Sequence, residues 1–316
     1  MPCCTETEGI IMMYLLLIVG FVLLVKGADL FVDGSSSIAG ILKVPSVIIG
    51  LTIVAAGTSA PEAAVSITAG LAGNSDISLG NVVGSNLFNQ LGVIGLCAAC
   101  FIVTTHKDIL KRDLWVNIGV TILLLVLILD GKLSRFEGLL LLVGFALYLF
   151  FVIRDAIKNR TQGDDVKIMS VPKSLFFMLI GLAAIIGGGN LVVNNASLIA
   201  QALGMSQTLV GLTIVAIGTS LPELVTSFVA TKKGDTGIAL GNAIGSNIFN
   251  ILFILGIASV LTPINANAEL IIDTIILIVV CIIILIFAKT KLKTNRIEGI
   301  ICILLYFAYT AYIILR

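Results

Sequence analysis

Apolar runs of about twenty residues, separated by short clusters of charge, recur along the whole chain, and each is long enough to cross a bilayer as a helix. They predict spans at Ile10–Val32, Ser46–Gly70, Ile77–Val103, Leu114–Leu129 and Glu137–Ile153. A polar stretch, RDAIKNRTQGDDVK, follows. Five more spans are expected at Lys173–Asn195, Gln207–Thr231, Gly237–Leu261, Glu269–Ala288 and Glu298–Leu315. The expected organisation is therefore a first five-helix unit over 1–153, a cytoplasmic linker over 154–173 and a second five-helix unit over 174–316. The start, MPCCTETEG, lacks a basic segment and the run behind it can span, which reads as a first span and not as a cleaved leader. Met12 and Met13 leave the start codon open.

The two units are copies. GLTIVAAGTSAPE at Gly50–Glu62 matches GLTIVAIGTSLPE at Gly211–Glu223, and LGNVVGSNLFN at Leu79–Asn89 matches LGNAIGSNIFN at Leu240–Asn250, each displaced by 161 residues. The same offset carries Asp29-Leu30 onto Asn190-Leu191 and Arg135, Glu137 and Gly138 onto Arg296, Glu298 and Gly299. A gap-free register over that distance marks a duplication. Five crossings per copy make the second copy enter from the opposite side. The fold class expected is thus an all-α integral membrane protein of ten transmembrane helices, built as two inverted five-helix repeats with broken helices at the midplane. In transporters, such repeats meet at a site near the bilayer centre.

Composition agrees with a lipid environment: 58% of the 316 residues are hydrophobic and 12% are charged, about half the usual charged fraction. A net charge of +1 argues against nucleic acid as a partner, since no basic domain exists to neutralise phosphates. On the predicted topology fifteen Lys and Arg fall on the side away from the N-terminus, against three on the N-terminal side. Positive residues stay cytoplasmic. Both termini are therefore expected outside the cytoplasm, in a multi-pass protein of the plasma or inner membrane.

Cys97 and Cys100 form a CxxC inside an apolar run, and the chain has one histidine, His106; these cysteines read as packing residues, with no zinc site. Without an HExxH or a Ser/His or Cys/His set, an enzyme is not expected. No cofactor and no obligate protein partner are evident, beyond the lipid bilayer itself.

Glu62 and Glu223 sit mid-span, where an ionised carboxylate is costly unless something compensates it. One alternative is a protonated glutamate hydrogen-bonded inside the bundle; the other is a bound metal cation. Pro61 and Pro222 remove a backbone donor and clash with the carbonyls of Gly57 and Gly218, four residues back. Broken backbone at membrane depth is tolerated where it lines a cavity or packs on protein. Thr58, Glu62 and Ser66 repeat at helical spacing, as do Thr219, Glu223 and Ser227; Asn81, Ser85 and Asn89 do so in the next span, mirrored by Asn242, Ser246 and Asn250. Each could equally serve as an interhelical hydrogen bond. The Gly80/Gly84 and Gly241/Gly245 pairs form GxxxG, which lets backbones approach. Taken together the inventory is oxygen without sulfur or imidazole, which suits a hard cation such as Ca²⁺.

GTSAPE and GTSLPE followed by GNVVGSN and GNAIGSN closely resemble the sodium/calcium exchanger family of the cation/calcium antiporter superfamily, in its compact prokaryotic form. The resemblance covers essentially the whole chain. It implies antiport of Na⁺ against Ca²⁺ by alternating access, with the first and sixth spans sliding against the core. It implies a calcium site of Glu62, Glu223 and the carbonyls of Thr58 and Thr219. It further implies sodium sites using Ser59, Ser220, Ser85 and Ser246 with the carbonyls of Ala55 and Ala216, and a centre completed by Asn89 and Asn250. Asparagine at both of these last positions resembles the potassium-independent branch. The Asp29/Asp33 pair, which becomes Asn190/Asn194 in the second copy, reads as interfacial or paired with Lys26. The rival readings are a proton/calcium antiporter, whose GNxxE pattern is missing here, and a passive cation channel.

Overall fold

The computed structural model describes residues 3–107, 109–158, 168–205, 216–290 and 292–315. The helices are α1 (Cys3–Leu42), α2 (Ser46–Ile49), α3 (Ala55–Thr58), α4 (Ala60–Leu71), α5 (Ser75–Leu87), α6 (Ile94–Cys100), α7 (Leu114–Ile128), α8 (Arg135–Lys158) and α9 (Val171–Ala202). The second half continues with α10 (Ala216–Thr219), α11 (Leu221–Lys232), α12 (Thr236–Phe249), α13 (Leu255–Leu261), α14 (Ala268–Lys289) and α15 (Arg296–Leu315). Single wide turns of π type at Gly50–Val54, Phe88–Val93 and Asn250–Ile254 join α2 to α3, α5 to α6 and α12 to α13. Another, Ile109–Asp113, leads into α7.

Among the described residues, seven helices are long and apolar enough to span a membrane, and an eighth is the pair Ser46–Thr58 and Ala60–Leu71, bent by 49°. Their outward side chains are large and apolar, Leu147, Phe150, Leu179 and Leu304 among them. The interior, in contrast, holds a band of buried Ser, Thr, Asn and Glu. A surface of this kind matches lipid, with the polar chemistry turned inward. The expected span over Gln207–Thr231 is described only from Ala216 onward, so the Gly211–Val215 part of its motif lies outside the described residues, as do linker positions 159–167.

Two pairs of short strands tie the halves together. β1 (Val103–Thr104) pairs antiparallel with β4 (Lys293–Thr294), and β2 (Lys132–Leu133) with β3 (Ile264–Asn265). Under the 161-residue offset the first pairing maps onto the second: Val103 opposite Thr294 becomes Ile264 opposite Leu133. The two ribbons sit at opposite ends of α7, and so on opposite faces. The turns between α4 and α5 and between α11 and α12 also mirror each other. Each has a glycine at positive φ, Gly73 at 79° and Gly234 at 86°, where a Cβ would be strained. The Gly73 turn shares the face of β2–β3, and the Gly234 turn the face of β1–β4.

The two long helices α1 and α9 lie against each other along a seam of small residues. A Cβ on Gly27 would stand 2.8 Å from the carbonyl oxygen of Gly181, and one on Gly188 2.7 Å from that of Gly20. Gly20, Gly27 and Gly34 on α1, and Gly181 and Gly188 on α9, recur every seven residues, the spacing that keeps one face toward a partner helix.

Helix α1 outruns its expected end at Val32 and continues to Leu42. The Gly-Ser-Ser-Ser stretch there looks like a loop in sequence, but Ser35, Ser36 and Ser37 are buried. Ser37 Oγ accepts from Met169 N–H and from Ser174 Oγ, both at 2.8 Å.

Candidate cation site

The chain bends at the two GTSxPE motifs for a local reason. Pro61 and Pro222 occupy the first turns of α4 and α11, where a missing N–H costs nothing, but neither can donate to the carbonyl four residues back. Ser59 and Ser220 form the hinges, with φ/ψ of −81°/10° and −92°/9°. The carboxylates follow one turn later, inside the first turns of α4 and α11. The positive end of each half-helix dipole lies there, which favours an ionised side chain.

The two breaks face each other. Ser59 Oγ donates to Glu223 Oε1 at 2.9 Å, and Ser220 Oγ donates to Glu62 Oε1 at 2.8 Å. The hydroxyl of each hinge thus serves the carboxylate of the other repeat. Ser85 Oγ also points at Glu62 Oε1, at 3.5 Å. Both glutamates are fully buried. No lysine or arginine forms an ion pair with either among the described residues.

Asparagines brace this arrangement in matched pairs. Asn81 Nδ2 donates to Ser66 Oγ at 2.9 Å and to the Glu62 carbonyl at 3.3 Å; Asn242 Nδ2 donates to Ser227 Oγ at 3.0 Å and to the Glu223 carbonyl at 3.3 Å. The Thr58 hydroxyl does not turn toward its own glutamate. It donates to Asn242 Oδ1 at 2.9 Å and to the Val54 carbonyl at 3.1 Å. Ser246 Oγ approaches the Ala55 carbonyl at 3.5 Å. Ala216 opens α10, the counterpart of α3, and Thr219 closes it.

A second asparagine set, Asn86 and Asn247, was not singled out from the sequence. Asn86 Nδ2 donates to the Asn247 carbonyl and Asn247 Nδ2 to the Asn86 carbonyl, at 3.1 and 3.3 Å. Asn89 Nδ2 then donates to Asn247 Oδ1 and Asn250 Nδ2 to Asn86 Oδ1, at 3.1 and 3.0 Å. These two sit in the repeated GSN triplets, so their duplication was the available signal.

Twelve buried side-chain oxygens lack a hydrogen-bond partner among the described residues, and five of them belong to the two repeated motifs. Among the described residues Glu62 Oε2, Glu223 Oε2, Asn89 Oδ1 and Asn250 Oδ1 are buried and have no hydrogen-bond partner, and the same holds for Thr219 Oγ1. The first four are acceptors only, in two mirrored pairs, and buried acceptors are normally satisfied. Apart from the Thr219 hydroxyl, what these motifs leave unspent is oxygen lone pairs. That set fits a hard cation held by oxygen. No group of three or more His, Cys, Asp or Glu exists among the described residues, so the ligands a transition metal prefers are missing there.

Two clefts lead toward this centre from the face of the Gly73 turn. One, of about 340 Å³, lies between α4 and α9 and reaches Pro61, Thr219 and Pro222; Asn190 and Asn194 line it. A smaller one, of about 80 Å³, runs between α5 and α15 past Asn81 and Tyr309 to Ser85. On the opposite face a larger cavity, of about 720 Å³, is lined by Asp33, Ser36, Ser46, Lys233 and Asp235 and reaches none of the site residues; beyond it α12 is packed against α2 and the wide turn that follows. A Cβ on Gly241 would stand 2.6 Å from the Val47 carbonyl oxygen, and one on Gly245 2.7 Å from that of Leu51. The second GxxxG therefore gives the expected close backbone approach.

Of the two readings of the Asp29/Asp33 pair, pairing with Lys26 is not what the structure shows. Its partner is Lys233, from the Gly234 turn, whose Nζ lies 3.3 Å from Asp29 Oδ1 and 2.7 Å from Asp33 Oδ1. The expected partner, Lys26, is one turn away on the same helix. The actual one is brought in by tertiary packing of α1 on α11. Cys97 is buried and Cys100 exposed, both as free thiols.

Comparison with known proteins follows these features closely. The model of the family described as sodium/calcium exchanger protein matches residues 12–154 and again 173–315. The sodium/calcium exchanger MaX1 of Methanosarcina acetivorans is 35% identical over 338 aligned residues, covering 94% of this chain and 97% of its own. The inner membrane protein YrbG of Escherichia coli (strain K12) is 39% identical over 258 residues, covering 78% and 79%. The fold matches a structure of the sodium-calcium exchanger NCX_Mj soaked with zero Na⁺ and Ca²⁺, with a TM-score of 0.86, 34% identity and coverage of 96% and 99%.

Proposed function

Because this chain belongs to the sodium/calcium exchanger family, a family of membrane transporters and not of enzymes, we propose that it exchanges Na⁺ for Ca²⁺ across a cell membrane by alternating access. The observation that carries this reading is the mirrored set of four unspent buried acceptors, Glu62 Oε2, Glu223 Oε2, Asn89 Oδ1 and Asn250 Oδ1. In this reading Glu62 and Glu223 hold the transported ion. Ser59, Ser220, Ser85 and Ser246, the Ala55, Ala216, Thr58 and Thr219 carbonyls, and Asn89 and Asn250 supply further oxygen.

Two carboxylates are balanced by one Ca²⁺ or by more than one Na⁺, so the ions compete for overlapping oxygens. Exchange follows if the carrier rearranges only when that charge is balanced. Ten spans in two inverted sets of five complete the reading. The eight spanning segments are joined by α7 and by the α10–α11 pair, which continues the part-described seventh span. The glycine seam favours sliding of α1 and α9 along the core. The Lys and Arg bias places the Gly234 turn in the cytoplasm and both termini outside. The two clefts then open outward. With asparagine at both 89 and 250, transport proceeds without potassium.

The test is ⁴⁵Ca²⁺ uptake into proteoliposomes driven by a sodium gradient, with the pH gradient collapsed. Sodium-dependent uptake is expected. Uptake that follows only a pH gradient supports a proton/calcium antiporter instead, and calcium flux without any counter-ion gradient supports a channel.

A further inference from the structure

The two copies differ in charge where they seal the two faces. On the face of the Gly234 turn, three side chains of α1 grip the α11–α12 turn. Asp29 and Asp33 both pair with Lys233, and Lys233 Nζ also donates to the Asp29 carbonyl at 2.9 Å. One turn further on, Ser36 Oγ donates to Asp235 Oδ2 at 2.9 Å, and Ser46 Oγ to Asp235 Oδ1 at 2.7 Å. Asp235 also caps α12 by accepting from Ile238 N–H at 3.0 Å.

Applying the 161-residue offset replaces every charged member. Asp29, Asp33, Lys233 and Asp235 become Asn190, Asn194, Ala72 and Asn74. No ion pair is possible between those four. Among the described residues Asn74 forms no side-chain cap on α5 and Ser197 Oγ, the counterpart of Ser36, has no partner, while Gln207, the counterpart of Ser46, lies outside the described residues. Asn190 and Asn194 line the cleft between α9 and α4, whereas Asp33, Ser36, Lys233 and Asp235 meet one another across the mouth of the cavity of about 720 Å³ on their own face. The duplicated architecture makes opening at one face the mirror image of opening at the other, but this cluster exists on one face only.

We propose that Asp29, Asp33 and Lys233, with Ser36 and Asp235, form a one-sided electrostatic latch that holds the face of the Gly234 turn shut and biases the carrier toward opening on the other face. The inference rests on the alternating-access reading above. The latch spans two bodies, α1 and the α11–α12 turn. Sliding of α1 far enough to admit ions from this face must separate them. Its members are partly exposed, with side-chain exposures of 31% for Lys233, 39% for Asp29 and 51% for Asp33. A pair in such surroundings changes an equilibrium by a factor of about two to five. That is enough to tilt two otherwise matched states without locking either, since a shift is bounded by the difference in contact energy between them.

Hydrogen–deuterium exchange of the full chain in lipid nanodiscs, without Na⁺ or Ca²⁺, tests the proposal. In Asp29→Asn/Asp33→Asn and in Lys233→Ala, peptides covering 28–42 should exchange about two- to five-fold faster and peptides covering 186–200 more slowly. The reversed pair Asp33→Lys/Lys233→Asp should restore the wild-type pattern. Unchanged exchange in both neutralised variants, or an equal rise at both ends of the molecule, overturns the latch. A mirror latch, Asn190→Asp/Asn194→Asp/Ala72→Lys, gives a readout that does not depend on those variants folding. Slower exchange over 186–200 supports the proposal, and no change there counts against it. Wild-type sodium-driven calcium uptake is measured in parallel. If uptake fails while the exchange differences persist, the transport reading falls and the latch stands.

Discussion

Ser59 and Glu223 lie 164 positions apart in the chain, and the hydroxyl of the first donates to the carboxylate of the second at 2.9 Å. Ser220 and Glu62 repeat this contact in the other direction at 2.8 Å. The carboxylates are therefore held by the opposite repeat, and each hinge serine couples the shape of one break to the charge of the other.

Removing either hydroxyl leaves a buried Oε1 short of a donor. Ser59→Ala and Ser220→Ala should each lower stability in ion-free detergent by about 1–3 kcal/mol. Ser220→Ala should cost less, because Ser85 also approaches Glu62 Oε1. Thermal unfolding of the two variants side by side measures the difference, and the reverse order would contradict the assigned contacts.

Glu62→Gln and Glu223→Gln keep the shape and remove one charge each. Calcium affinity should fall by about 100-fold in either, since affinity in oxygen sites follows the number of charged ligands. Helical content by circular dichroism should stay at the wild-type level. Isothermal titration with Ca²⁺ checks the first statement, and near-wild-type affinity in either variant would remove that carboxylate from the site.

Asn86 and Asn247 should matter as much as the residues they hold. Asn247→Ala deprives Asn89 Nδ2 of its acceptor, and Asn86→Ala does the same to Asn250 Nδ2. Each stranded amide should cost about 1–3 kcal/mol. The double variant should fall short of the sum, because the two asparagines bond each other's backbone. Chemical denaturation of the three variants provides the cycle.

Backbone approach at α12 gives a steric prediction. A Cβ at Gly245 meets Leu51 Cα and the Leu51 carbonyl oxygen at 2.7 Å, so Gly245→Ala should destabilise by about 1–3 kcal/mol. Gly119, on the exposed side of α7 with nothing within 4 Å, is the control. Gly119→Ala should be neutral or stabilise by up to about 1 kcal/mol. Differential scanning fluorimetry of both variants reads the contrast.

Much of this architecture was legible in the sequence because its strongest signals are repeated. Apolar runs marked helices such as α14 and α15 to within two residues, and the GTSxPE and GSN motifs located both breaks. The misreadings share a physical origin in long-range packing. The Ser35–Ser37 stretch has the composition of a loop, and only the Met169 and Ser174 partners beyond the linker let it stay helical and buried. Asp33 finds its cation 200 positions away, while the nearest lysine in sequence is on its own helix. The Thr58 hydroxyl, by contrast, makes the interhelical hydrogen bond that its spacing leaves open, to Asn242 on α12. Local spacing could place the oxygens near one another without showing which of them would be left unpaired.

The two short ribbons, β1 with β4 and β2 with β3, fasten the end of one repeat's third segment to the start of the other's last helix, once on each face. Neither ribbon includes α1 or α9. A molecule stitched this way top and bottom has little freedom to splay its halves apart, as a hinged clamshell would. On the proposed alternating-access reading, the motion left to it is that of a sash in a fixed frame: the glycine-seamed pair travels as one piece while the frame, with the charged centre built into it, stays at a constant depth.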